Sequence, residues 1–264
     1  MDEQWTERDI DDLRAAKRAL ESPSFIATVT GLLGKPISAG LKRLPPRWNE
    51  KVNKVAHAAL MQALSLAVRT TRSERGTHSS DVLHKVLVTA SGVAGGSFGI
   101  GTATIELPIS TCIILRSIID IAKHEGHDVA MLAVRLSCVE VFALGSSQKR
   151  DDDSSQQGYW VVRTALAKEI ADAMNHIASK GMSKRGAPPL LRLVSTIAAR
   201  FSTVVTEEMA AKLVPVIGAA AGGAINLLFM QHFQTIAHGH FTVKRLEKKY
   251  DSEAVQRKYQ DLHV

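Results

Sequence analysis

The chain has 264 residues, enough to bury a substantial core as one large domain or two closely packed ones. Aromatic residues make up only 5% and hairpin turn signals are few, which favours an all-α protein over an α/β or all-β enzyme. The net charge of +7 suits partners that carry phosphate, such as lipid headgroups or nucleic acid.

The compartment is predicted from the N-terminus and the cysteines. The first residues contain neither a basic stretch nor an apolar one, so we expect no secretory signal. Cys112 and Cys138 both occur in apolar surroundings without metal-ligand spacing, which indicates two buried thiols in a reducing compartment.

Helical periodicity predicts the elements of the first quarter of the chain. A first helix is expected from about Asp9 to Glu21, and an apolar stretch from Phe25 to Leu44 follows, interrupted by glycines and a proline. The next helix follows Pro45-Pro46, and its apolar stripe comprises Val52, Val55, Ala56, Ala59, Ala63, Leu66 and Ala67. Arg69 to Ser80 is polar and predicts a loop.

A first long apolar segment runs from Val82 to Ala122. We expect it to divide at the glycine-rich run from Gly92 to Gly101 and again near Pro108. A further helix with an apolar stripe is predicted from about Asp128 to Leu144. The polar residues 146–158 read as an exposed linker, the one candidate boundary within a single domain that spans residues 1–264.

The second half continues in the same way. Helices are predicted from Tyr159 to Ala178 and from Leu190 to Ser202, and Leu213 to Met230 forms a second apolar segment without a charged residue. The tail from Phe241 to Val264 has the pattern of a charged, amphipathic helical pair. The predicted fold is therefore an all-α multi-helix bundle with two central glycine-rich apolar helical segments.

Both apolar segments contain small residues four positions apart, for example Gly92 with Gly96 and Gly218 with Gly222. This spacing lets two helix backbones approach closely, as in membrane helix pairs. Leu213 to Met230 is slightly shorter than the roughly 20 apolar residues that a membrane span needs. Three interpretations stay open: a close-packed soluble core, a protein that docks on or partly inserts into the bilayer, and spanning helices.

A basic stretch surrounds one tryptophan. Its members, the predicted membrane-surface residues, are Lys35, Lys42, Arg43, Arg47, Trp48, Lys51 and Lys54. An indole beside cations is favoured at an anionic membrane interface, although a solvated helix face with a half-buried tryptophan would give the same pattern. No nucleic-acid partner is predicted, because Trp48 is the only aromatic residue there on which a base could stack.

Several polar residues fall on apolar helix faces. Arg116 and Asp120 are four apart and share a face, and Glu106 joins them if the helix continues past Pro108. With Glu140, Asn226, His240 and Arg245 these residues define a predicted buried polar cluster. Such a cluster either binds a ligand or moves protons, or it is an ion-pair network that fixes helix register, which we favour. The histidine spacing matches no standard metal-ligand pattern, so neither a metal nor a cofactor is predicted.

Three pairs of stretches resemble the EcsC family. They are Ile105–Pro108 with Arg116–Ala122, Val214–Gly218 with Ile225–Met230, and His240–Phe241 with Arg245–Glu247 and Tyr250. The resemblance extends from about Ala19 to Tyr259. It implies a bacterial, largely helical protein associated with an ABC-transporter system, and it implies no particular reaction. The residues that match the family pattern are Glu106, Arg116, Asp120, Glu140, Asn226, His240 and Arg245.

The leading hypothesis is a non-enzymatic accessory protein with no catalytic residues assigned. We expect it in the cytoplasm, peripheral at the inner face of the cell membrane, or holding a lipid-like molecule between its apolar helices. The expected partners are membrane lipid or a lipid-like small molecule and, from the resemblance, a membrane transporter component. The alternative is a hydrolase that acts on an amphiphilic substrate through Glu106, Arg116, Asp120 and His240.

Overall fold

The computed structural model describes residues 5–21, 25–33, 37–69, 103–146, 155–181, 187–213 and 218–263. Within these ranges the chain forms ten helices and no strand, which confirms the predicted all-α multi-helix bundle. The helices are α1 (Glu7–Leu20), α2 (Phe25–Leu33), α3 (Ser38–Leu41), α4 (Trp48–Arg69), α5 (Ala103–His124), α6 (Leu132–Leu144), α7 (Ser155–Lys180), α8 (Pro188–Lys212), α9 (Gly218–Tyr250) and α10 (Ser252–Asp261).

Helix α6 lies at the centre of the bundle. Every residue from Val134 to Ala143 is buried, because α4, α5, α7, α8 and α9 all pack against this helix. The single apolar stripe predicted here is therefore too narrow, since an interior helix buries all of its faces. Three of its buried residues are nevertheless polar, namely Arg135, Ser137 and Glu140, and each needs a partner inside the protein.

Helix α4 buries one face against α5, α6 and α8. Val52 and the four alanines of the predicted stripe are buried, and Leu60 and Leu64 widen the same face. Leu66 is an exception, since it is 39% exposed. It lies about a quarter of a turn from the centre of the buried stripe and therefore points past the neighbouring helices.

Pro108 does not divide the first apolar segment, contrary to the prediction, because α5 continues through it to His124. A proline removes one backbone donor and strains the turn before it. The hydroxyls of Ser110 and Thr111 donate to the main-chain oxygens of Glu106 (3.0 Å) and Leu107 (2.7 Å), which gives carbonyls of this turn additional partners. The predicted break at the Gly92–Gly101 run lies outside the described residues.

Helix α9, with 33 residues, joins the second apolar segment to the charged tail. It ends at Tyr250, and the positive φ of 68° at the next residue, Asp251, turns the chain into α10. Gly239 lies where α9 crosses α1, and a Cβ there would lie 2.8 Å from Cγ of Leu20 and 3.0 Å from the main-chain oxygen of Ala16. Gly239 therefore allows the backbones of α1 and α9 to approach closely. Gly218 and Gly222 lie in the first turns of α9, and the Gly92 run lies outside the described residues.

The predicted linker at residues 146–158 is partly helical, because α7 already begins at Ser155. Residues 147–154 lie outside the described residues. A single apolar core contains residues from both sides of this segment, including Phe142 before it and Phe201 after it, whose rings are 5.0 Å apart.

Candidate functional site

The seven polar residues predicted to form one cluster lie at separate places in the bundle. Glu106 and Asn226 meet where α5 and α9 begin, whereas Glu140 and His240 meet in the interior and Arg245 lies beside α1. Asn226 and His240 are 14 residues apart on one helix, which is about 21 Å along its axis. The prediction of a single buried cluster is therefore wrong.

Arg116 and Asp120 also differ from the prediction of a buried ion pair. Arg116 is half-buried on α5, but Asp120 one turn later is exposed. The carboxylate of Asp120 keeps its water, so there is no desolvation cost that a buried partner would have to offset.

A deeply buried polar contact joins Glu140 of α6 to His240 of α9. His240 is fully buried and Glu140 is 3% exposed. Nε2 of His240 lies 3.7 Å from Oε2 of Glu140, and Nδ1 on the other side of the ring lies 3.0 Å from the hydroxyl of Tyr159 on α7. Three helices thus each contribute one polar group to this contact.

Arg163 on α7 connects this contact to the protein surface. Its guanidinium donates to the hydroxyl of Tyr159 at 3.3 Å and to both carboxylate oxygens of Glu247 at 2.8 and 3.0 Å. Such a two-pronged bond fixes the orientation of the guanidinium. We define the buried relay as Glu140, Tyr159, Arg163, His240 and Glu247 together with Lys244, whose charge affects the pKa values of Glu140 and His240.

Sequence reasoning identified only Glu140 and His240 of the buried relay. The signal for the others is their spacing, since Tyr159 and Arg163 are four apart, and His240, Lys244 and Glu247 recur at intervals of four and three. Both intervals place side chains on one face of a helix. The other members of the buried relay could therefore have been recognised as polar residues that recur at helical spacing.

Burial biases the centre of the relay towards uncharged forms. Loss of water raises the pKa of Glu140, although the charges of Lys244 and Arg163 oppose that rise. Burial lowers the pKa of His240 well below its ordinary value, and the same two cations lower it further. Burial also lowers the pKa of Lys244, an effect that Glu140 opposes. Each of these groups loses hydration that its charged form would need.

Helices α1 and α10 cover the buried relay. Tyr259 of α10 stacks on Tyr159 with ring centres 6.1 Å apart and lies edge-on to Trp160 at 5.7 Å. Lys17 of α1, which is fully buried, donates to the main-chain oxygens of Tyr259 (2.9 Å) and Leu262 (2.7 Å). A cation at this position satisfies carbonyls that the end of a helix leaves without partners.

A second polar group ties together the ends of α5, α8 and α9. Lys212 lies 2.8 Å from Oε1 of Glu106 and 2.9 Å from Oε1 of Glu208, and Asn226 donates to Glu106 at 3.3 Å. Burial raises the pKa of Glu208, while the charge of Lys212 opposes that rise. Glu106 and Asn226 therefore hold helix ends together and do not contact His240.

Arg245 belongs to a third group, at the surface between α1 and the turn after α5. It lies 2.8 Å from Asp12 and 3.3 Å from Glu125, and Glu125 also lies 3.5 Å from His238. His232 has other surroundings again, because its Nε2 lies 2.7 Å from the main-chain oxygen of Gly145. Within the described ranges, no three His, Cys, Asp or Glu residues are placed to hold a metal ion.

Of the residues predicted for a membrane surface, the cations that the structure describes are exposed, whereas the tryptophan is buried. We define the basic elbow, the turn from α3 into α4, as the exposed residues Lys42, Arg43, Arg47, Lys51 and Lys54. Trp48 is only 6% exposed and packs in the core, because it lies one turn before Val52 on the buried face of α4. The prediction of an indole at the interface is therefore wrong, and Lys35 lies outside the described residues.

The basic elbow is attached to the end of α8. Arg43 donates to the main-chain oxygen of Leu213 at 3.0 Å, and a Cβ on Gly40 would lie 1.9 Å from the main-chain oxygen of Ala210. Leu41, between these two contacts, is 40% exposed. Of the helices that the structure describes, none combines the length and the apolar character needed to cross a membrane.

Comparison with known proteins gives one match. The model of the EcsC protein family matches residues 11–246, which include Glu140, His240 and the whole basic elbow, whereas α10 follows the matched region. No curated protein and no solved structure matches the chain.

Proposed function

We propose a peripheral membrane role for this chain, which belongs to the EcsC protein family. In this role it is a non-enzymatic accessory protein that docks on the anionic, cytoplasmic face of a membrane through the basic elbow. The proposal rests on one observation, the exposure of all five cations of the elbow. Lys51 and Lys54 are three apart and so share one face of α4, and Arg47 lies directly before this helix begins.

The strength of such docking follows from its charges. A lysine or arginine near an anionic leaflet contributes about 1 kcal/mol, so the five residues together supply about 5 kcal/mol at most. That is a weak, reversible attachment, and salt weakens it further because these side chains are exposed. Leu41 adds an apolar side chain among the cations, which suits shallow contact with the headgroup region.

The hydrolase alternative has less support. Glu106, Asp120 and His240 occupy three different environments, and only His240 is deeply buried beside a potential proton donor or acceptor. A reaction needs its acid, base and binding groups within hydrogen-bond reach of one substrate. The family resemblance instead supports a transporter component as the proposed partner at the membrane.

Vesicle co-sedimentation tests the proposal. The full chain is mixed with phosphatidylcholine vesicles, either alone or containing phosphatidylglycerol, at low and high salt. We expect sedimentation only with the anionic vesicles and a marked loss of binding at high salt. Equal binding to neutral vesicles, or binding that does not respond to salt, would refute docking through the basic elbow.

A further inference from the structure

One polar atom of the buried relay has no hydrogen bond. Nε2 of His240 is fully buried, and within the described residues it has no hydrogen-bond partner. Oε2 of Glu140 faces it at 3.7 Å, slightly too far for a hydrogen bond. A buried polar atom without a partner costs free energy, so its retention in the centre of the bundle calls for an explanation.

The hydrogen bonds on the other side of the ring define a direction. Arg163 can only donate, so the oxygen of Tyr159 accepts at 3.3 Å. Because the guanidinium cannot accept the proton of the Tyr159 hydroxyl, the assignment that satisfies this proton has Nδ1 of His240, 3.0 Å away, as its acceptor. A neutral imidazole whose Nδ1 accepts carries its own proton on Nε2, and this N–H faces the carboxyl group of Glu140.

The charged groups around the pair come from several elements. The charges of Lys244 (α9) and Arg163 (α7) lower the pKa of both Glu140 and His240, and the charge of Glu247 (α9) raises the pKa of Glu140. His127, in the turn after α5, also lowers the pKa of His240. From α10 the ring of Tyr259 covers Tyr159.

We propose that Glu140 and His240 form a buried proton-binding pair, in which Tyr159 and Arg163 set the position of the proton and α10 excludes water. The ligand of this site is the proton itself. Uptake by the Glu140 carboxylate forms one O–H bond, and uptake by His240 forms one N–H bond at Nδ1.

The two positions are not equivalent. A proton on Nδ1 of His240 would turn that nitrogen from an acceptor into a donor, and the hydroxyl of Tyr159 would lose its acceptor while Arg163 still donates to it. A proton on Glu140 disturbs none of these bonds. The first proton therefore goes to Glu140, and His240 stays a neutral imidazole with its proton on Nε2.

Nitrogen NMR of the histidine side chains tests the position of the proton. In the unmodified chain we expect His240 to be the neutral Nε2–H form near neutral pH. Tyr159→Phe removes the hydroxyl that donates to Nδ1 and should shift the population towards the Nδ1–H form. Tyr250→Phe, which removes a hydroxyl that bonds Asp9 of α1, is the matched control and should leave His240 unchanged.

Infrared spectroscopy tests the position at Glu140 independently. The band of a protonated carboxyl group should be present in the unmodified chain, absent from Glu140→Gln, and lost on titration with a midpoint above 4.5, the ordinary value for glutamate. A midpoint at or below 4.5 would overturn the proposal. So would a doubly protonated or Nδ1–H His240 in the unmodified chain, or the same tautomer after Tyr159→Phe, and these NMR results decide the matter even if Glu140→Gln does not fold.

Discussion

The buried ammonium group of Lys17 on α1 lies 2.9 Å from the main-chain oxygen of Tyr259, near the end of α10. The two residues are 242 positions apart, so this contact joins the first and last helices of the described chain. Tyr259 in turn stacks on Tyr159 of the buried relay. A buried cation from the opposite end of the sequence thus adds to the apolar packing of Val255 and Tyr259 that holds α10 in place.

Replacing Lys17 with methionine should therefore loosen α10. The change removes two hydrogen bonds from a charged donor, each worth about 1.5–3 kcal/mol, so we expect a loss of about 3 kcal/mol in unfolding free energy or a selective opening of α10. Hydrogen exchange of the amides of α10 distinguishes the two. Arg18→Met removes an exposed charge from the next position and should change neither quantity. Unchanged exchange in Lys17→Met would show that the buried amine does not hold α10.

Gly40→Ala tests the attachment of the basic elbow. The new methyl group would overlap the main-chain oxygen of Ala210, and backbone cannot yield as a flexible side chain does, so we expect a loss of about 1–3 kcal/mol. Gly31→Ala is the matched control, because nothing lies within 4 Å of the added carbon and alanine favours a helix by about 0.5–1 kcal/mol. Urea denaturation measures both, and a Gly40→Ala protein as stable as the Gly31→Ala protein would contradict the packing of α3 on α8.

Two aspartates should respond very differently to replacement by alanine. Asp9 is buried, and its Oδ2 accepts from Lys249 (2.7 Å) and from the hydroxyl of Tyr250 (2.6 Å). Its loss should cost about 2 kcal/mol or more, whereas exposed Asp120 should stay within about 0.5 kcal/mol of the unmodified chain. Thermal unfolding measures the stability of both variants. A strongly destabilised Asp120→Ala protein would show that Asp120 does form a buried pair with Arg116.

Stability should depend on pH through His240 and Glu140 with opposite signs. The pKa of His240 is lowered in the folded state, so the unfolded chain binds the proton more readily and stability falls as pH drops below 6.5. The pKa of Glu140 is raised, so its contribution is fully present below 4.5 and is lost as pH rises through the folded value.

His240→Gln should accordingly reduce the loss of stability on acidification, and Glu140→Gln should reduce the loss on raising the pH. Melting temperatures measured across the acid and neutral range check both. His124→Gln changes an exposed histidine of α5 and is the control variant. Parallel profiles for all three variants and the unmodified chain would mean that neither buried group changes its proton binding on folding.

The fold class was predictable because helical periodicity is local. The stripe of α4 and the pairing of polar residues four apart can be read from neighbouring positions alone. The partition of the polar residues could not be predicted, since it depends on where α5 and α9 cross their neighbours. Glu106 and His240 both follow the family pattern, yet Glu106 pairs with Lys212 whereas His240 contacts Tyr159.

The orientation of Trp48 could not be predicted for a related reason. Several cations lie near it in the sequence, but its neighbour on the helix face is Val52. The residue at which α4 begins therefore decides whether the indole points to the core or to the basic surface. Similarly, Pro108 predicts a break in the helix unless the start of that helix is known, and the start of α5 at Ala103 could not be located from the sequence. The sequence contained the periodicity but not the phase of each helix relative to the rest of the bundle.

Charge reversal in the basic elbow tests the proposed membrane role most directly. The triple variant Lys42→Glu, Lys51→Glu, Lys54→Glu changes exposed side chains only, and the control Lys168→Glu, Lys180→Glu, Arg257→Glu changes the net charge equally elsewhere on the surface. Binding of both variants to phosphatidylglycerol-containing vesicles is compared at one salt concentration. We predict that the elbow variant loses at least about tenfold in affinity, because each reversal removes about 1 kcal/mol of attraction and adds repulsion, while the control loses much less. Equal losses in the two variants would show that only net charge matters and would contradict docking through the basic elbow.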